Sequence, residues 1–484
     1  MNRSQNDSRD ISLPSALQVV ARYRDIVPEW PLFLDALQRP LPQCLWANAL
    51  RFSGDALHDL LLEADMAPKR LAWRNDAFRI ERPGNLSQQW WYLIGLAHAQ
   101  EEVSQVPVQL LDVQPGMRVW DMCAAPGGKS AQIAVALENS GTVLANDIST
   151  GRLRALSGNL ERLGLVNVVT TRYDAATYPQ KAGQFDRVLL DAPCSGEGTL
   201  RKNASHTERM GEGFSRQLSG VQKALLRKAI QHCKPGGRIV YSTCTFAPEE
   251  NELVVAAILQ ELDGEVSLLP ARIPNLKSSP GLKAWQGQYL DDVLSNCLRI
   301  WPHQNDSGGF FVAVLQKSAA GVDTGRTPAK LQDDEEIEWR DELNESFGFT
   351  DEVWKGFKVH RQCQRGLHIA SASIQPPSLP KAESQGMLFY RTTSRPPKLT
   401  TVAALLLGGQ AKKNRIELNA DQRDLYLQRA TFELNESQRN GLTPGFVLLL
   451  YQGYCLGMGR YHAKSQTLQS QFPRKWGGRA ELPS

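Results

Sequence analysis

Several features that would mark a specialised class of protein are scarce in this sequence. Its 484 residues include only eight cysteines, and none of them forms a C-x-x-C pair, so neither a disulfide scaffold nor a zinc ribbon is expected. The formal net charge is only +4, from 55 basic and 51 acidic residues, which excludes a strongly basic coat protein for nucleic acid. No bound metal is predicted.

Long apolar stretches are also missing. Residues 402–407 and 446–451 are examples of the longer apolar runs, and they are far short of the roughly 20 residues that a membrane helix needs. The first ten residues, MNRSQNDSRD, are polar and mixed in charge and lack the apolar core of a signal peptide. We therefore expect a cytoplasmic protein with no membrane partner, whose reduced cysteines are free to act as nucleophiles.

What is present is an average globular composition, with 42% hydrophobic and 22% charged residues, in a chain long enough for about two to four domains. Residues 13–85 are predicted to form short helices broken by prolines, and residues 88–105 a single helix.

The most regular part of the sequence alternates short apolar runs with helical patterns. Strands are predicted at residues 117–121, 142–145, 166–171, 185–190, 238–242 and 309–315. Helices are predicted up to residue 137, at residues 153–163 and 221–233, and after Pro248. This alternation indicates βαβ units and therefore an α/β fold with a doubly wound parallel sheet.

The remaining sequence is divided by polar, proline-containing stretches. Residues 318–330 and 371–386 are interpreted as linkers. Residues 333–352 carry ten acidic side chains against one basic side chain, which is typical of a solvated helix face. From residue 387 onward, short apolar runs between turns predict a small β-rich domain.

The first chemical motif is DMCAAPGGKS, residues 121–130, where a predicted strand turns tightly into a helix. A P-loop would need glycine in place of Cys123, and the dinucleotide fingerprint G-x-G-x-x-G is absent. S-adenosylmethionine remains as a ligand that needs such a loop but no phosphate cradle. The glycines alone would equally fit a plain strand–turn–helix connection, but Asp147, Asp174 and Asp191 follow three further strands, where carboxylates suit an adenosyl ligand.

Two further motifs each place a cysteine just after a strand: DAPCSGEG, residues 191–198, and STCT, residues 242–245. A thiolate that adds to C6 of a pyrimidine activates C5 for methylation. The reaction also needs a carboxylic acid or its equivalent at N3, and Asp191 is placed for that role. The residues leave open whether Cys194 or Cys244 attacks. Packing positions are predicted for Cys44, Cys233, Cys297, Cys363 and Cys455.

Together these motifs resemble the RNA cytosine-C5 methyltransferases of the nucleolar protein 2 / Sun family. The resemblance spans about residues 95–317 and rests on residues 121–130, 191–198 and 242–245, with residues 100–104 and 249–252 beside them. The layout of the whole chain is similar to bacterial members that act on ribosomal RNA of the small subunit. One departure is Trp46-Ala47-Asn48, which stands where the family usually has Arg-x-Asn.

The resemblance implies a role for each motif. It makes Cys244 the nucleophile, gives Cys194 a part in product release, and places Asp191 at N3 of the cytosine. The implied cofactor is S-adenosylmethionine, held by Cys123, Ala124, Ala125, Pro126, Gly127, Gly128, Lys129, Asp147, Asp174 and Asp191.

The implied fold is a Rossmann-like class I methyltransferase sheet with a small N-terminal module and a β-rich C-terminal domain similar to a PUA RNA-binding domain. The predicted division is an RNA-recognition module at 1–104, a methyltransferase domain at 105–318, an intermediate segment at 331–372 and the PUA-like domain at 387–484.

The implied function is methylation of C5 of a cytosine in the decoding region of 16S ribosomal RNA through a covalent cysteine–C6 adduct. The expected partner is 16S RNA, free or in the assembled 30S subunit, and the expected state is a monomer. The motifs also fit a transfer-RNA cytosine-C5 methyltransferase. A non-catalytic RNA-binding assembly factor, the remaining alternative, would be expected to lack Cys244 or Asp191, and both are present.

The local charge of the C-terminal region is more informative than the total charge. Residues 391–415 carry six basic side chains and no acid, and residues 442–484 carry five basic side chains against one acid. Aromatic residues are interleaved with the latter, among them Tyr451, Tyr454, Tyr461, Phe472 and Trp476. Basic groups for phosphates and aromatic rings for unpaired bases predict RNA binding, although a solvated basic face over an aromatic core fits the same pattern.

Overall fold

A computed structural model of the protein describes residues 15–202, 210–320, 338–394, 396, 398–474 and 476. Most of the predicted linker at 318–330, the start of the acidic run at 333–337 and the basic residues Arg395, Lys475 and Arg479 lie outside the described residues. After a 3₁₀ helix, Ser15–Tyr23, the N-terminal elements are α1 Trp30–Gln38, β1 Gln43–Ala47, α2 Gly54–Glu63, β2 Pro68–Leu71, β3 Arg74–Ile80, α3 Trp90–Leu93 and β4 Ala97–Ala99.

The central elements are α4 Val106–Leu111, β5 Arg118–Asp121, α5 Gly128–Ala136, β6 Thr142–Asn146, α6 Thr150–Leu163, β7 Val168–Thr171, β8 Phe185–Asp191, α7 Glu212–His232, β9 Cys233–Thr243, α8 Glu252–Glu261, β10 Val266–Leu269, β11 Ser279–Pro280, β12 Ala284–Trp285, β13 Gln288–Tyr289, β14 Leu298–Ile300, α9 Pro302–Asn305 and β15 Phe310–Lys317.

The C-terminal elements are α10 Glu338–Phe347, α11 Asp351–Trp354, β16 Phe357–Cys363, β17 Gly366–Ser371, β18 Ala382–Gln385, β19 Met387–Arg391, β20 Lys398–Leu399, α12 Thr401–Leu407, β21 Arg415–Glu417, α13 Ala420–Leu427, β22 Thr431–Glu433, α14 Glu436–Arg439, β23 Gly445–Tyr451, β24 Tyr454–His462 and β25 Thr467–Ser470.

The central sheet has the predicted parallel core, in the order β7-β6-β5-β8-β9. The chain runs outward from β5 to β7 and returns to β8 beside β5, so the switch point lies between β5 and β8, where open α/β sheets bind their ligands. The prediction of a parallel sheet was incomplete, because the sheet is mixed. Strands β15, β14, β10 and β11 extend one side in antiparallel fashion, and β18 pairs antiparallel with β7 on the other side.

The prediction of short helices over residues 13–85 was wrong in part. Strands β2-β3-β1-β4 form an antiparallel sheet there. The predicted helix at 88–105 was also wrong, since Gly95 takes a φ of 79° after α3 and β4 then pairs with β1. A Cβ at Gly95 would lie 2.0 Å from the carbonyl oxygen of Arg162, so glycine is required at this turn.

Helix α7 begins at Glu212 and not at residue 221. Among residues 212–219, its first two turns, only Ser215 is buried, so hydrophobic periodicity could not reveal these turns.

The interpretation of residues 371–386 as a linker was also wrong. Strand β18 lies within this stretch and forms the edge of the central sheet. Gln375 N donates to Thr142 Oγ1 at 2.7 Å, and Arg118 Nε donates to Gln375 O at 3.3 Å. The prolines that suggested a linker therefore lie in a segment held against the sheet by backbone hydrogen bonds. The sheet β16-β17-β19-β20 joins strands from both sides of this segment.

The C-terminal aromatic residues are mostly not available to stack on bases. Tyr461 and Phe472 are buried. The rings of Tyr451 and Tyr454 lie 5.1 and 6.3 Å from the ring of Trp90. The alternative of an aromatic core therefore holds for these four residues, and this core joins the C-terminal strands to the N-terminal sheet.

Other predictions concern burial. Helix α10 buries Trp339, Leu343 and Phe347, and its acidic residues Asp341, Glu342 and Glu345 are exposed, as predicted for a solvated helix face. Four of the five predicted packing cysteines are buried, whereas Cys363 is exposed.

Within the described parts of the chain, no helix is long and apolar enough to cross a membrane.

The buried ion pair between Arg299 and Glu252 yields a stability prediction. Arg299 donates to the carboxylate at 2.7 and 2.5 Å and to Phe246 O at 2.9 Å. Glu252→Leu leaves the guanidinium buried and unpaired, so we expect the free energy of unfolding in urea to fall by about 3–5 kcal/mol. The double variant Glu252→Leu/Arg299→Met should lose clearly less, and an equal or larger loss would contradict this electrostatic explanation.

Candidate active site

A cavity of about 410 Å³ lies at the carboxyl ends of β5, β8 and β9, next to the switch point of the sheet. Three predicted site segments supply its wall: the loop after β5, the end of β8 at Asp191, and Cys244 after β9. They meet because parallel strands present their carboxyl ends at the same edge of a sheet. Gln100, Glu101, Phe310 and Lys202 also line the cavity.

The loop after β5 is held close to the sheet by its backbone. Met122 N donates to Leu189 O at 3.0 Å, and Ala124 N donates to Asn146 O at 2.8 Å. Gly127 then takes a φ of 104° as the residue before α5. A Cβ on Gly128 would come within 3.3 Å of the Gln100 side chain, so the small residues keep this part of the cavity open. Cys123, Ala124, Ala125, Pro126, Gly128 and Lys129 line it, while Gly127 supports the turn.

Asp121 carries an unsatisfied acceptor in the cavity wall. Its Oδ2 accepts from Ser130 Oγ at 2.6 Å, but its Oδ1 is buried without a hydrogen-bond partner. Burial raises the pKa of this carboxyl to about 7. A free carboxylate oxygen beside a glycine-rich loop fits a ligand with a cationic or hydrogen-bond-donating group, such as the ammonium group of S-adenosylmethionine.

The two other predicted acids lie outside the cavity lining. Asp147 is buried, accepts from Ser149 N at 2.9 Å and from Ala125 N at 3.3 Å, and pairs with Arg152 at 3.3 Å. Asp147 therefore stabilises the conformation of the loop without lining the cavity. Asp174 is exposed and accepts from Ala176 N at 3.0 Å as a helix cap.

The two motif cysteines are in direct contact. Cys194 Sγ lies 3.3 Å from Cys244 Sγ, and both residues are half-buried. The pKa of Cys194 is raised well above its usual value, first by the hydrogen bond with Cys244 and then by burial. Cys194 therefore keeps its proton and can donate it in a hydrogen bond to the sulfur of Cys244.

A lysine–aspartate pair lies in the same cavity wall. Lys129 Nζ donates to Asp191 Oδ2 at 2.7 Å, and Ser242 Oγ donates to Asp191 Oδ1 at 2.8 Å. Burial alone would lower the pKa of Lys129, but Asp191 raises it overall. The ammonium group is thus charged and sits 5.3 Å from the centre of the Phe310 ring.

Buried carboxylates stabilise the cysteine loops by accepting hydrogen bonds from them. Glu197 accepts from Tyr23 Oη at 2.8 Å, Thr245 Oγ1 at 3.0 Å and Phe246 N at 3.2 Å. Burial raises the pKa of Glu197 to about 7. Glu250 accepts from Ser195 N at 3.0 Å, so the two loops are fixed by two different carboxylates.

Sequence reasoning assigned no role to several of these residues. Glu101 is half-buried and accepts from Gly308 N and Ser104 N, both at 2.9 Å. Its only signal was its place in the motif at 100–104. Asp121 was visible as the first residue of its motif. Lys202 and Phe310 had no signal, because only tertiary packing brings them to the cavity.

Comparisons with known proteins show the family of the chain. Residues 108–316 match the family model of the 16S rRNA methyltransferase RsmB/F, and residues 413–476 match the PUA domain of methyltransferase RsmF. Both lie where the sequence predicted the methyltransferase sheet and the PUA-like domain, and the predicted fold class is confirmed.

Similar proteins carry related activities in their names. Ribosomal RNA small subunit methyltransferase F of Erwinia tasmaniensis is 30% identical, over 97% of this chain and 97% of that protein. A tRNA (cytosine(49)-C(5))-methyltransferase of Pyrococcus abyssi is 36% identical, over 58% of this chain and 90% of that protein. The crystal structure of a methyltransferase homologue from Pyrococcus horikoshii matches with a TM-score of 0.56 at 33% identity, over 63% of this chain and 99% of that one.

The paired cysteines, the glycine-rich loop and these matches over nearly the whole chain lead to one conclusion. The protein belongs to the ribosomal RNA small subunit methyltransferase F group of the RsmB/F family and is an S-adenosylmethionine-dependent RNA cytosine-C5 methyltransferase.

Proposed function

We propose that this enzyme methylates C5 of a cytosine in the decoding region of 16S ribosomal RNA through a covalent bond between Cys244 and C6. The observation that carries the proposal is the 3.3 Å contact of Cys194 with Cys244, because Cys244 lines the cavity that Lys129 and Asp191 also line. The target base must leave its stack to enter such a cavity.

The Cys244 thiolate forms an S–C6 bond, and the C5–C6 π electrons move to C5. Asp191 contacts N3 of the ring, and the Lys129 ammonium, 2.7 Å from Asp191, offsets the negative charge that develops on the base. S-adenosylmethionine supplies the electrophilic methyl group when it is bound.

Release of the product requires two changes that balance the reaction. The C5 proton leaves to solvent, its electron pair re-forms the C5–C6 double bond, and the S–C6 bond breaks with its electrons on sulfur. The Cys194 thiol, which holds its proton, donates a hydrogen bond to the departing sulfur and stabilises it as a thiolate. We therefore assign Cys194 to product release.

The cofactor site uses the loop from Cys123 to Lys129 together with Asp121, which the sequence did not assign. Asp147 positions this loop through Ala125 N, and we also assign Asp174, which follows β7, to the cofactor. In our proposal the four divisions at 1–104, 105–318, 331–372 and 387–484 act in one monomer, with catalysis in the second and RNA binding in the first and last.

The substrate is tested by incubating the enzyme with methyl-labelled cofactor and purified 16S RNA, 30S subunits or transfer RNA. We expect label in 16S RNA or in 30S subunits, and bisulfite sequencing should place it at a cytosine of the decoding region. Label confined to transfer RNA would contradict the ribosomal assignment and support the alternative that the Pyrococcus abyssi relative suggests.

Cys244→Ala should reduce methylation to background, because the base can no longer be activated by addition of sulfur to C6. The matched control is Cys363→Ala, which removes an exposed thiol and should keep full activity. Measurable turnover by Cys244→Ala would rule out the covalent route.

Cys194→Ala should still form the adduct but release it slowly, because the leaving sulfur loses its hydrogen-bond donor. A protein–RNA band on a denaturing gel is the expected result. The double variant Cys194→Ala/Cys244→Ala should give no such band. A normal turnover rate without adduct in Cys194→Ala would refute the release role.

Asp121→Asn should weaken cofactor binding about tenfold or more, as expected for loss of one charge-assisted hydrogen bond. Titration calorimetry measures this affinity, with Ser130→Ala as a control that leaves the carboxylate in place. Unchanged affinity in Asp121→Asn would remove Asp121 from the cofactor site.

The same variant should change the pH dependence of stability. The pKa of Asp121 is raised by burial from 3.8 to about 7, so between these values the folded chain retains a proton that the unfolded chain has lost. The free energy of unfolding therefore falls as pH rises through this range. Asp121→Asn should flatten this fall in urea titrations, and an unchanged slope would contradict the raised pKa.

A further inference from the structure

A second cavity, of about 360 Å³, lies between the β19–β20 pair and the β23–β24 pair of the C-terminal region. Its wall includes Arg391 and Lys398 from the first pair and Phe446 from the second. None of the residues that line it belongs to the wall of the catalytic cavity. Two of its cations also lie outside the segment at 413–476 that matches the PUA model.

Two cations of this cavity face each other across a strand pair. Arg391 lies directly opposite Lys398 in the antiparallel register of β19 and β20. Residues directly opposite each other in such a ladder project from the same face of the sheet, and like charges in this position destabilise it. The fold therefore carries an unfavourable interaction at this place.

A third cation reaches the same place from the other sheet. Arg460 lies directly opposite Phe446 in the register of β23 and β24. The Lys398 ammonium sits 5.0 Å from the centre of the Phe446 ring and donates to Gln471 Oε1 at 3.2 Å. Burial lowers the pKa of Lys398, and the charges of Arg391 and Arg460 lower it further.

No acidic side chain relieves this repulsion in the part of the chain that the structure describes. The described residues that line the cavity include no aspartate or glutamate, and neither arginine nor the lysine has an ion-pair partner among them. Arg391 and Arg460 are exposed, so an anion can approach them from solvent. Three cations held together without a counter-charge favour a ligand that brings negative charge.

We propose that this cavity is a binding site for the phosphodiester backbone of the substrate RNA, with Arg391, Lys398 and Arg460 as its phosphate ligands. The proposal rests on the proposed function, since it takes ribosomal RNA as the polyanion that the enzyme must hold. Lys398 is oriented toward the cavity by Phe446 and Gln471, which reduces the entropy lost when a phosphate binds. An acidic protein segment is the competing ligand.

The test compares two double variants that remove the same charge. Arg391→Ala/Lys398→Ala removes both cations that line the cavity, and Lys181→Ala/Lys283→Ala removes two exposed lysines outside the basic C-terminal stretches. Filter binding to 16S RNA is measured for both and for the unmodified chain over a range of salt concentrations. Each lost phosphate contact should reduce the slope of log affinity against log salt by about 0.7–0.9.

We expect Arg391→Ala/Lys398→Ala to bind RNA about ten to a hundred times more weakly, with a reduced salt slope, and the lysine control to change little. The charge-retaining swap Arg391→Lys/Lys398→Arg should keep most of the affinity. Equal losses in the two double-alanine variants would overturn the site. A polyglutamate peptide that competes with RNA as well as unlabelled RNA does would overturn the assignment to RNA.

Thermal unfolding and steady-state kinetics separate this site from folding and from catalysis. Arg391→Ala/Lys398→Ala removes a repulsive pair, so its Tm should equal or exceed that of the unmodified protein, and a large fall in Tm would contradict that repulsion. Its KM for RNA should rise about tenfold while kcat stays within about twofold, and a kcat loss at unchanged KM would refute a binding role. If the unmodified protein binds 16S RNA through this cavity but methylates no cytosine in it, the proposed function fails and the site stands.

Discussion

The site depends first on the parallel register between β8 and β9. Asp191 lies opposite Ser242, Ala192 N donates to Ser242 O at 2.9 Å, and Gly198 N donates to Cys244 O at 2.8 Å. Two loops that are 50 residues apart in sequence therefore leave the sheet side by side. The contact between the two sulfur atoms follows from this register, whereas the parallel pairing of β5 with β8 brings Lys129, which follows β5, beside Asp191.

Irregular backbone beyond the strand ends creates a second requirement, because its N–H groups cannot be paired within the sheet. Two buried carboxylates and one half-buried carboxylate meet that requirement: Glu197 accepts from Phe246 N, Glu250 from Ser195 N, and the half-buried Glu101 from Gly308 N. Burying a carboxylate is costly unless such donors surround it. The hydrogen bond from Tyr23 to Glu197 extends the network to the N-terminal segment, so the cysteine loops are stabilised by elements from three parts of the chain.

The parallel strands of the sheet and the motif residues could be predicted because each carries a local signal. The strands are continuous apolar runs, and each motif follows one of them, which places its side chains at the sheet edge. The N-terminal sheet could not be predicted in the same way, because β1 exists only through pairing with β3 and β4. The stretch at 371–386 contained prolines typical of a linker, yet a hydrogen bond to Thr142, more than two hundred residues away, holds it to the sheet.

The sequence by itself determined the reaction chemistry, since the Pro-Cys and Thr-Cys motifs and the glycine-rich loop are short segments whose residue types limit what they can do. Tertiary structure alone decided which partners those groups have. It left Asp121 with a free oxygen in the cavity wall, raised the pKa of Cys194 through its contact with Cys244, and brought Arg460 to the cations of β19 and β20. The physical reason is that burial, pairing and charge repulsion depend on distances in space between residues far apart in the chain.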